Sequence, residues 1–86
     1  MQIFVVSYHT FSTGITIQVF KTLKDSIQFL EDELSHAVFR DVRVDVDNWL
    51  QSLKTVPEET FSHDFFLFGE ICELVIEKFV IQGESA

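Results

Sequence analysis

Side chains able to act as nucleophiles, general bases or metal ligands are few in this sequence, and they form no recognisable motif. The three histidines, His9, His36 and His63, are far apart in the chain, and each belongs to a different predicted element. A catalytic base or nucleophile needs an activating neighbour, and no triad or nucleophile-elbow spacing surrounds them. Cys72 lies among apolar residues, which is typical of a buried and unreactive thiol. We therefore predict that the protein is not an enzyme.

Three aspartates, Asp41, Asp45 and Asp47, would project from one face of a predicted strand. Carboxylates in this arrangement can hold Mg²⁺, but Arg43 lies between them on the same face and would neutralise the site. Zinc needs four closely spaced Cys, His or Asp ligands, and the sequence does not supply them. We expect no metal and no cofactor.

The composition restricts the class of protein further. The 86 residues make one small domain, and 14 acidic residues against 6 Lys and Arg give a net charge of −8. This charge argues against direct binding to nucleic acid or to an anionic membrane. A single cysteine and an N-terminus without signal-peptide features predict a cytoplasmic protein.

The charge is unevenly distributed along the chain. Residues 1–24 contain two lysines and no acidic residue, whereas residues 25–86 hold all 14 acidic residues and four basic ones, a net charge of −10. The chain is also rich in phenylalanine, with ten Phe and a hydrophobic fraction of 47%. So small a domain leaves part of this apolar surface exposed, which favours a protein that docks onto a partner. The alternative is an ordinary monomer with a Phe-rich core.

The first half of the chain predicts two strands and a helix. Residues 2–8 are apolar on both faces, as in a central strand. After a loop over residues 9–14, residues 15–20 alternate as in a half-buried strand antiparallel to the first. Thr22 and Asp25 resemble a capping box that begins a helix. One stripe of that helix is apolar: Leu23, Ile27, Leu30, Leu34 and Ala37.

The second half predicts one more strand and further helix. Residues 38–47 alternate with valines inward, which predicts a third strand and a β-β-α-β unit of sheet order 2-1-3. A short helical turn would follow Asp47, and a long C-terminal helix would run from about Asp64 to Ile81. A fourth strand over residues 65–68 is the competing interpretation, since four successive apolar residues do not define a period. The predicted fold is a single α+β domain, residues 1–86, with a small, mostly antiparallel sheet and helices on one face.

Two acidic surfaces are candidates for binding a partner. The first, on the predicted first helix, combines Phe29 with flanking polar residues, Asp25, Asp32 and His36, and an aromatic beside carboxylates suits a partner rich in Arg or Lys. The alternative is that Phe29 is covered by the domain's own C-terminal segment. The second surface is a carboxylate row on the predicted C-terminal helix, Glu70, Glu73 and Glu77, continued by Phe66. Carboxylates three and four residues apart on a helix lie about 5–6 Å from each other, comparable to phosphates along a nucleic-acid strand. The alternative is a solvated acidic face.

These observations predict a non-catalytic acidic protein that blocks a positively charged, nucleic-acid-binding surface of a partner protein complex. Small acidic chains of this kind include nucleic-acid mimics and phage-encoded inhibitors of bacterial defence, such as anti-CRISPR proteins. The predicted contact residues are Asp25, Phe29, Asp32, His36, Asp41, Asp45, Asp47, Phe66, Glu70, Glu73 and Glu77. The alternative is a structural or assembly subunit that forms a homodimer through its Phe-rich C-terminal helix.

Overall fold

The computed structural model describes residues 1–10, 14–69 and 72–81. Along the chain the elements are β1 (Gln2–Thr10), β2 (Gly14–Phe20), α1 (Leu23–Glu33), a 3-10 helix (Ala37–Val42), α2 (Arg43–Leu53), β3 (His63–Phe68) and β4 (Cys72–Val80). The order is β-β-α-α-β-β, so the α+β class is confirmed while the arrangement differs from the predicted one.

The four strands form one antiparallel sheet of order β2-β1-β4-β3. β1 pairs with β2 on one side and with β4 on the other, which confirms its predicted central position. The hydrogen bonding between β1 and β4 continues just beyond the strands, where the Ile81 amide donates to the Met1 carbonyl oxygen at 2.7 Å. The last strand of the chain therefore lies beside the first.

The helices pack against one face of this sheet and enclose the core. Even-numbered residues of β1, such as Phe4, Val6 and Tyr8, point toward the helices and are buried. The remaining buried apolar residues come from the two α-helices, the 3-10 helix, the last two strands, and the segments that follow α1 and precede β3: Leu23, Ile27, Leu30, Leu34, Phe39, Val46, Leu50, Leu53, Phe61, Phe68, Leu74 and Ile76. The sheet and the helices bury these apolar residues against each other, and this packing holds the two layers together.

The beginning of α1 follows the sequence prediction. The Thr22 side-chain oxygen accepts a hydrogen bond from the Asp25 amide at 3.0 Å, which is the predicted N-cap. The first helical amide, that of Leu23, donates to Glu58 Oε1 at 2.9 Å, so a second carboxylate caps the same helix end from a distant loop. The predicted apolar stripe is buried as far as Leu34, where α1 has ended.

The predicted third strand is wrong. Residues 38–47 lie in the 3-10 helix and in the first part of α2, and the short turn predicted after Asp47 belongs to the same α2. The apolar side chains of this segment that pack in the core recur with a helical period: Phe39, Val42, Val46, Leu50 and Leu53. Val44, which a strand would have buried, is 72% exposed. The predicted 2-1-3 order is wrong for the same reason.

The predicted long C-terminal helix is also wrong. Its residues form β3 and β4, so the competing strand over residues 65–68 is the observed one. Gly69 follows β3 with a φ of +73°, a left-handed conformation that favours glycine and ends the strand in a turn. A homodimer through a Phe-rich C-terminal helix is therefore excluded in that form.

Candidate functional site

The sheet has one face packed against the helices and one face that the described residues leave uncovered, here called the open face. Alternation along each strand and the pairing register place 14 residues on it. They are Ile3, Val5, Ser7 and His9 of β1, Ile15, Ile17 and Val19 of β2, His63, Phe65 and Leu67 of β3, and Glu73, Val75, Glu77 and Phe79 of β4. Most of these side chains are apolar, which is unusual for a solvent-facing sheet surface.

The edges of the open face are the most exposed. Ile15 and Ile17 of β2 are 67% and 59% exposed, and Phe65 and Leu67 of the opposite edge strand are 51% and 62% exposed. Large apolar residues scattered singly on a surface are ordinary. Here they form two groups on opposite edges of the sheet, one on β2 and one on β3, with Ser7, His9 and Glu73 among the residues between them. Exposed apolar residues grouped in this way mark interaction sites.

Two carboxylates stand within this apolar surface. Glu77 lies between Val5 of β1 and His63 of β3, and Glu73 lies between His9 and Leu67. Both glutamates are exposed, and neither forms an ion pair with any residue that the structure describes. They are four residues apart on one strand, which separates them by about 13 Å along it.

The predicted carboxylate row is therefore rearranged. Glu73 and Glu77 do share one face, but it is the face of a strand, and their spacing is more than twice that of neighbours on a helix. Glu70 lies outside the described residues. Phe66, predicted to continue the row, points to the helix side, where its ring centroid lies 5.9 Å from that of Trp49.

The first predicted surface belongs to the opposite layer of the molecule. Asp25, Asp32 and His36 are exposed on α1 and just beyond its end. Phe29 is half-buried against Phe20 of β2, with ring centroids 5.4 Å apart, so neither full exposure nor cover by the C-terminal segment describes it.

Most acids of the helix layer already have partners within the chain. Gln28 donates to Asp32 at 3.2 Å, and the His36 ring pairs with Glu33 at 3.1 Å. Lys54 forms an ion pair with Glu31 at 2.7 Å. The helix layer is therefore less in need of an external cation than the open face.

Asp41, Asp45 and Asp47 do not form the predicted row on a strand. Asp41 lies in the 3-10 helix, whereas Asp45 and Asp47 lie in the first turns of α2. Asp47 accepts a long hydrogen bond from Gln51 at 3.4 Å. Among the described residues no group of three or more His, Cys, Asp or Glu is placed to hold a metal ion.

Sequence reasoning missed the apolar and histidine residues of the open face. The alternation of Ile15, Ile17 and Val19 predicts a strand with one apolar face. Such a face is normally buried, whereas here it points to solvent. In β3 the alternation is hidden, because both faces of Phe65–Phe68 are apolar. The surplus of phenylalanine was the available signal, and it predicted exposure without predicting where.

Burial raises the pKa of Tyr8, whose hydroxyl donates to Glu33 Oε2 at 3.0 Å. The hydrogen bond and the negative charge of Glu33 act in the same direction, while a hydrogen bond with Thr16 acts against them. The Tyr8 hydroxyl lies on the helix side of β1, and its hydrogen bonds with Glu33 and Thr16 stabilise the fold. It fixes α1 to the sheet and has no part in the open face.

The clefts formed by the described residues include two on the helix side. One, of about 420 Å³, has an apolar floor that includes Leu23, Ile27 and Leu53, with the Glu31–Lys54 ion pair at its rim. The Glu58 carboxylate in this cleft accepts hydrogen bonds from the Leu23 amide and from the Gln2 side chain, so it already stabilises the fold. The second, of about 400 Å³, is lined by Leu34, Ser35, His36, Arg40 and Arg43.

No described helix is long and apolar enough to cross a membrane. Comparisons with protein-family models, with curated proteins and with solved structures find no match to this chain.

Proposed function

We propose that this is a non-catalytic binding protein that docks through its open face onto a positively charged surface of a partner protein. The observation that carries the proposal is the placement of Glu73 and Glu77 on a sheet face that is mostly apolar and whose edge-strand apolar residues are exposed. The partner class is a protein whose basic surface serves to bind nucleic acid.

The apolar part of the open face supplies the driving force for association. Burial of apolar area contributes roughly 25 cal/mol per Å², and interface centres are apolar with a polar rim. Phe65, Leu67 and Ile17 are each more than half exposed, so each has area left to bury. Aromatic residues such as Phe65 and Phe79 are suited to act as anchors.

The carboxylates determine which partner fits. If an apolar surface covered Glu73 and Glu77, both charges would lose their hydration without compensation. A Lys or Arg opposite each of them removes this cost and rejects partners that lack the cations. The net charge of −8 would also accelerate the encounter with a basic surface.

The wide spacing of the two glutamates supports a basic protein surface rather than close imitation of a phosphate row. A mimic of a nucleic-acid strand was predicted from carboxylates about 5–6 Å apart, whereas Glu73 and Glu77 lie about 13 Å apart along β4. An origin as a phage-encoded inhibitor of bacterial defence, such as an anti-CRISPR protein, stays a prediction from size, charge and the lack of catalytic motifs.

Charge removal on the two faces tests the proposal. The immobilised protein would be exposed to cell lysate at physiological salt, and bound proteins released by high salt would be identified by mass spectrometry. The variant Glu73→Gln/Glu77→Gln should reduce recovery of a basic partner about tenfold or more, because interface charges opposite cations are worth several kcal/mol when desolvated.

The matched control is Asp25→Asn/Asp32→Asn, which removes the same charge from the helix side. We expect its recovery of the partner to stay within about twofold of the wild type, since distant charges are screened beyond about 8 Å at physiological salt. Equal losses in both variants would show that only net charge matters. A loss confined to the control would place the site on α1 instead.

A further inference from the structure

β2 is an edge strand that carries none of the usual protection against pairing with another strand. Within the described part of the chain it pairs with β1 alone, and Gly14–Phe20 contains no charged residue and no proline. Folded proteins ordinarily protect such an edge with a lysine, a proline, a bulge or a covering segment. The other edge strand, β3, begins with His63 and Asp64, so the two edges differ.

We propose that β2 pairs antiparallel with β2 of a second copy of this chain, across a two-fold axis through Ile17. Two four-stranded sheets would then become one continuous sheet with both open faces on the same side. Ile17 would face Ile17 of the second copy, and Ile15 would face Val19 of the second copy. On the helix side, Thr16 would face Gln18.

The side chains of β2 are self-complementary in this register. Ile15, Ile17 and Val19 are 67%, 59% and 56% exposed, and all three are β-branched, which suits cross-strand pairing. Registers that keep both open faces on one side are centred on a residue, and only the register centred on Ile17 pairs all of Gly14–Phe20. At each end Gly14 would face Phe20, an aromatic beside a residue with no side chain.

The distribution of charge permits this contact between two acidic chains. Residues 1–24, which include β1 and β2, contain Lys21 and Lys24 and no acidic residue. In the joined sheet the two β4 strands would be five strand spacings apart, about 24 Å, well beyond the screening length of about 8 Å. Contact between two open faces would instead bring Glu73 and Glu77 of both copies together.

This inference does not depend on the proposed function. The paired sheet leaves Glu73 and Glu77 uncovered and places two open faces side by side. Its chemistry also differs, because backbone hydrogen bonds and apolar side chains hold the β2 contact, whereas opposite charges are needed for the basic partner. High salt should therefore release the partner and leave the β2 pair intact.

Molar mass in solution tests the pairing. Light scattering behind size exclusion, over a range of loading concentrations, should show the 10.0 kDa chain doubling its mass as concentration rises, in physiological and in high salt alike. Ile17→Lys should abolish the doubling by placing two ammonium groups at the axis. The matched control Leu67→Lys, at a 62% exposed position on β3, should retain it.

A cysteine cross-link tests the register itself. In a Cys72→Ser background, Ile17→Cys should form an intermolecular disulfide on mild oxidation, because residues that face each other in antiparallel strands have Cα atoms about 4.5–5.5 Å apart. Ile15→Cys is the control, since its two copies would lie about 13 Å apart. Circular dichroism checks that each variant is folded.

Three results would overturn the proposal. They are a monomer at every concentration, a dimer that Leu67→Lys disrupts and Ile17→Lys does not, and a cross-link at residue 15 as efficient as that at residue 17.

Discussion

Glu77 lies directly across from Val5 on the open face of the sheet, so a carboxylate stands among side chains that would normally be buried. His63 flanks it on the other side, and Glu73 repeats the arrangement beside His9. A surface whose only role was to keep the protein soluble would carry charged residues in place of these apolar ones. The combination supports the proposed interface, in which the charged positions would select a cationic partner.

Phe65 and Phe66 should respond oppositely to replacement by alanine. Phe66 packs between Trp49 and Phe68 on the helix side, with ring centroids 5.9 Å and 6.5 Å away, so Phe66→Ala should lower the free energy of unfolding by about 2–3 kcal/mol. Phe65 is 51% exposed, and Phe65→Ala should cost about 1 kcal/mol or less. Urea titrations of both variants measure the difference. Comparable losses in the two would contradict the strand geometry of β3.

Glu58 is expected to contribute to stability through the end of α1. Its carboxylate accepts from the Leu23 amide at 2.9 Å and from Gln2 Nε2 at 3.2 Å. Glu58→Ala should therefore reduce the free energy of unfolding by about 1–2 kcal/mol, as the loss of a helix cap does. The neighbouring Glu59→Ala is the control, because Glu59 is exposed and only its backbone oxygen is used, by Lys78. Chemical denaturation of both would show no difference if the cap were unimportant.

Tyr8 should make the fold sensitive to alkaline pH. Because its pKa in the folded state is raised above the ordinary value of 10.0, chiefly by burial, the neutral phenol contributes stability that is present below about pH 10. This contribution is lost as pH rises through the folded-state pKa, since the unfolded chain ionises more readily. The wild type should therefore lose stability above about pH 10 more steeply than Tyr8→Phe does.

The measurement is the urea midpoint of both proteins at several alkaline pH values. The two proteins differ only in the Tyr8 hydroxyl, so the difference between their curves isolates Tyr8. The sequence has one tyrosine, and phenolate absorbance reports its ionisation directly. Parallel curves for the two proteins would contradict the assignment.

The first half of the fold could be predicted because its local signals agree with one another. The two-sided apolar run of β1, the alternation of β2 and the Thr22 cap of α1 each point to a single structure. Residues 38–47 could not be predicted in this way. Their valines fit a period of two, while Phe39, Val42 and Val46 fit a helix, and only packing against the sheet decides between the two periods.

The C-terminal strands were obscured for a related reason. Apolar residues between Phe65 and Phe79 also fall on one helical face. The strands become distinct only when Gly69 ends β3 and β4 pairs with β1, whose residues lie 64 to 78 positions earlier in the sequence. The sequence predicts that Glu73 and Glu77 share one face, but the residues that surround them depend on that long-range pairing. The local sequence of a strand does not determine which other strand it pairs with.

The most direct test of the central claim is site-specific cross-linking of the two layers. A benzophenone amino acid would replace Phe65, which is 51% exposed on the open face, or Val44, which is 72% exposed on α2. After illumination in cell lysate, we expect position 65 to form a covalent adduct with a basic protein, and high salt or Glu73→Gln/Glu77→Gln to prevent it. Position 44 should form no such adduct. An adduct at position 44 with none at position 65 would contradict docking through the open face.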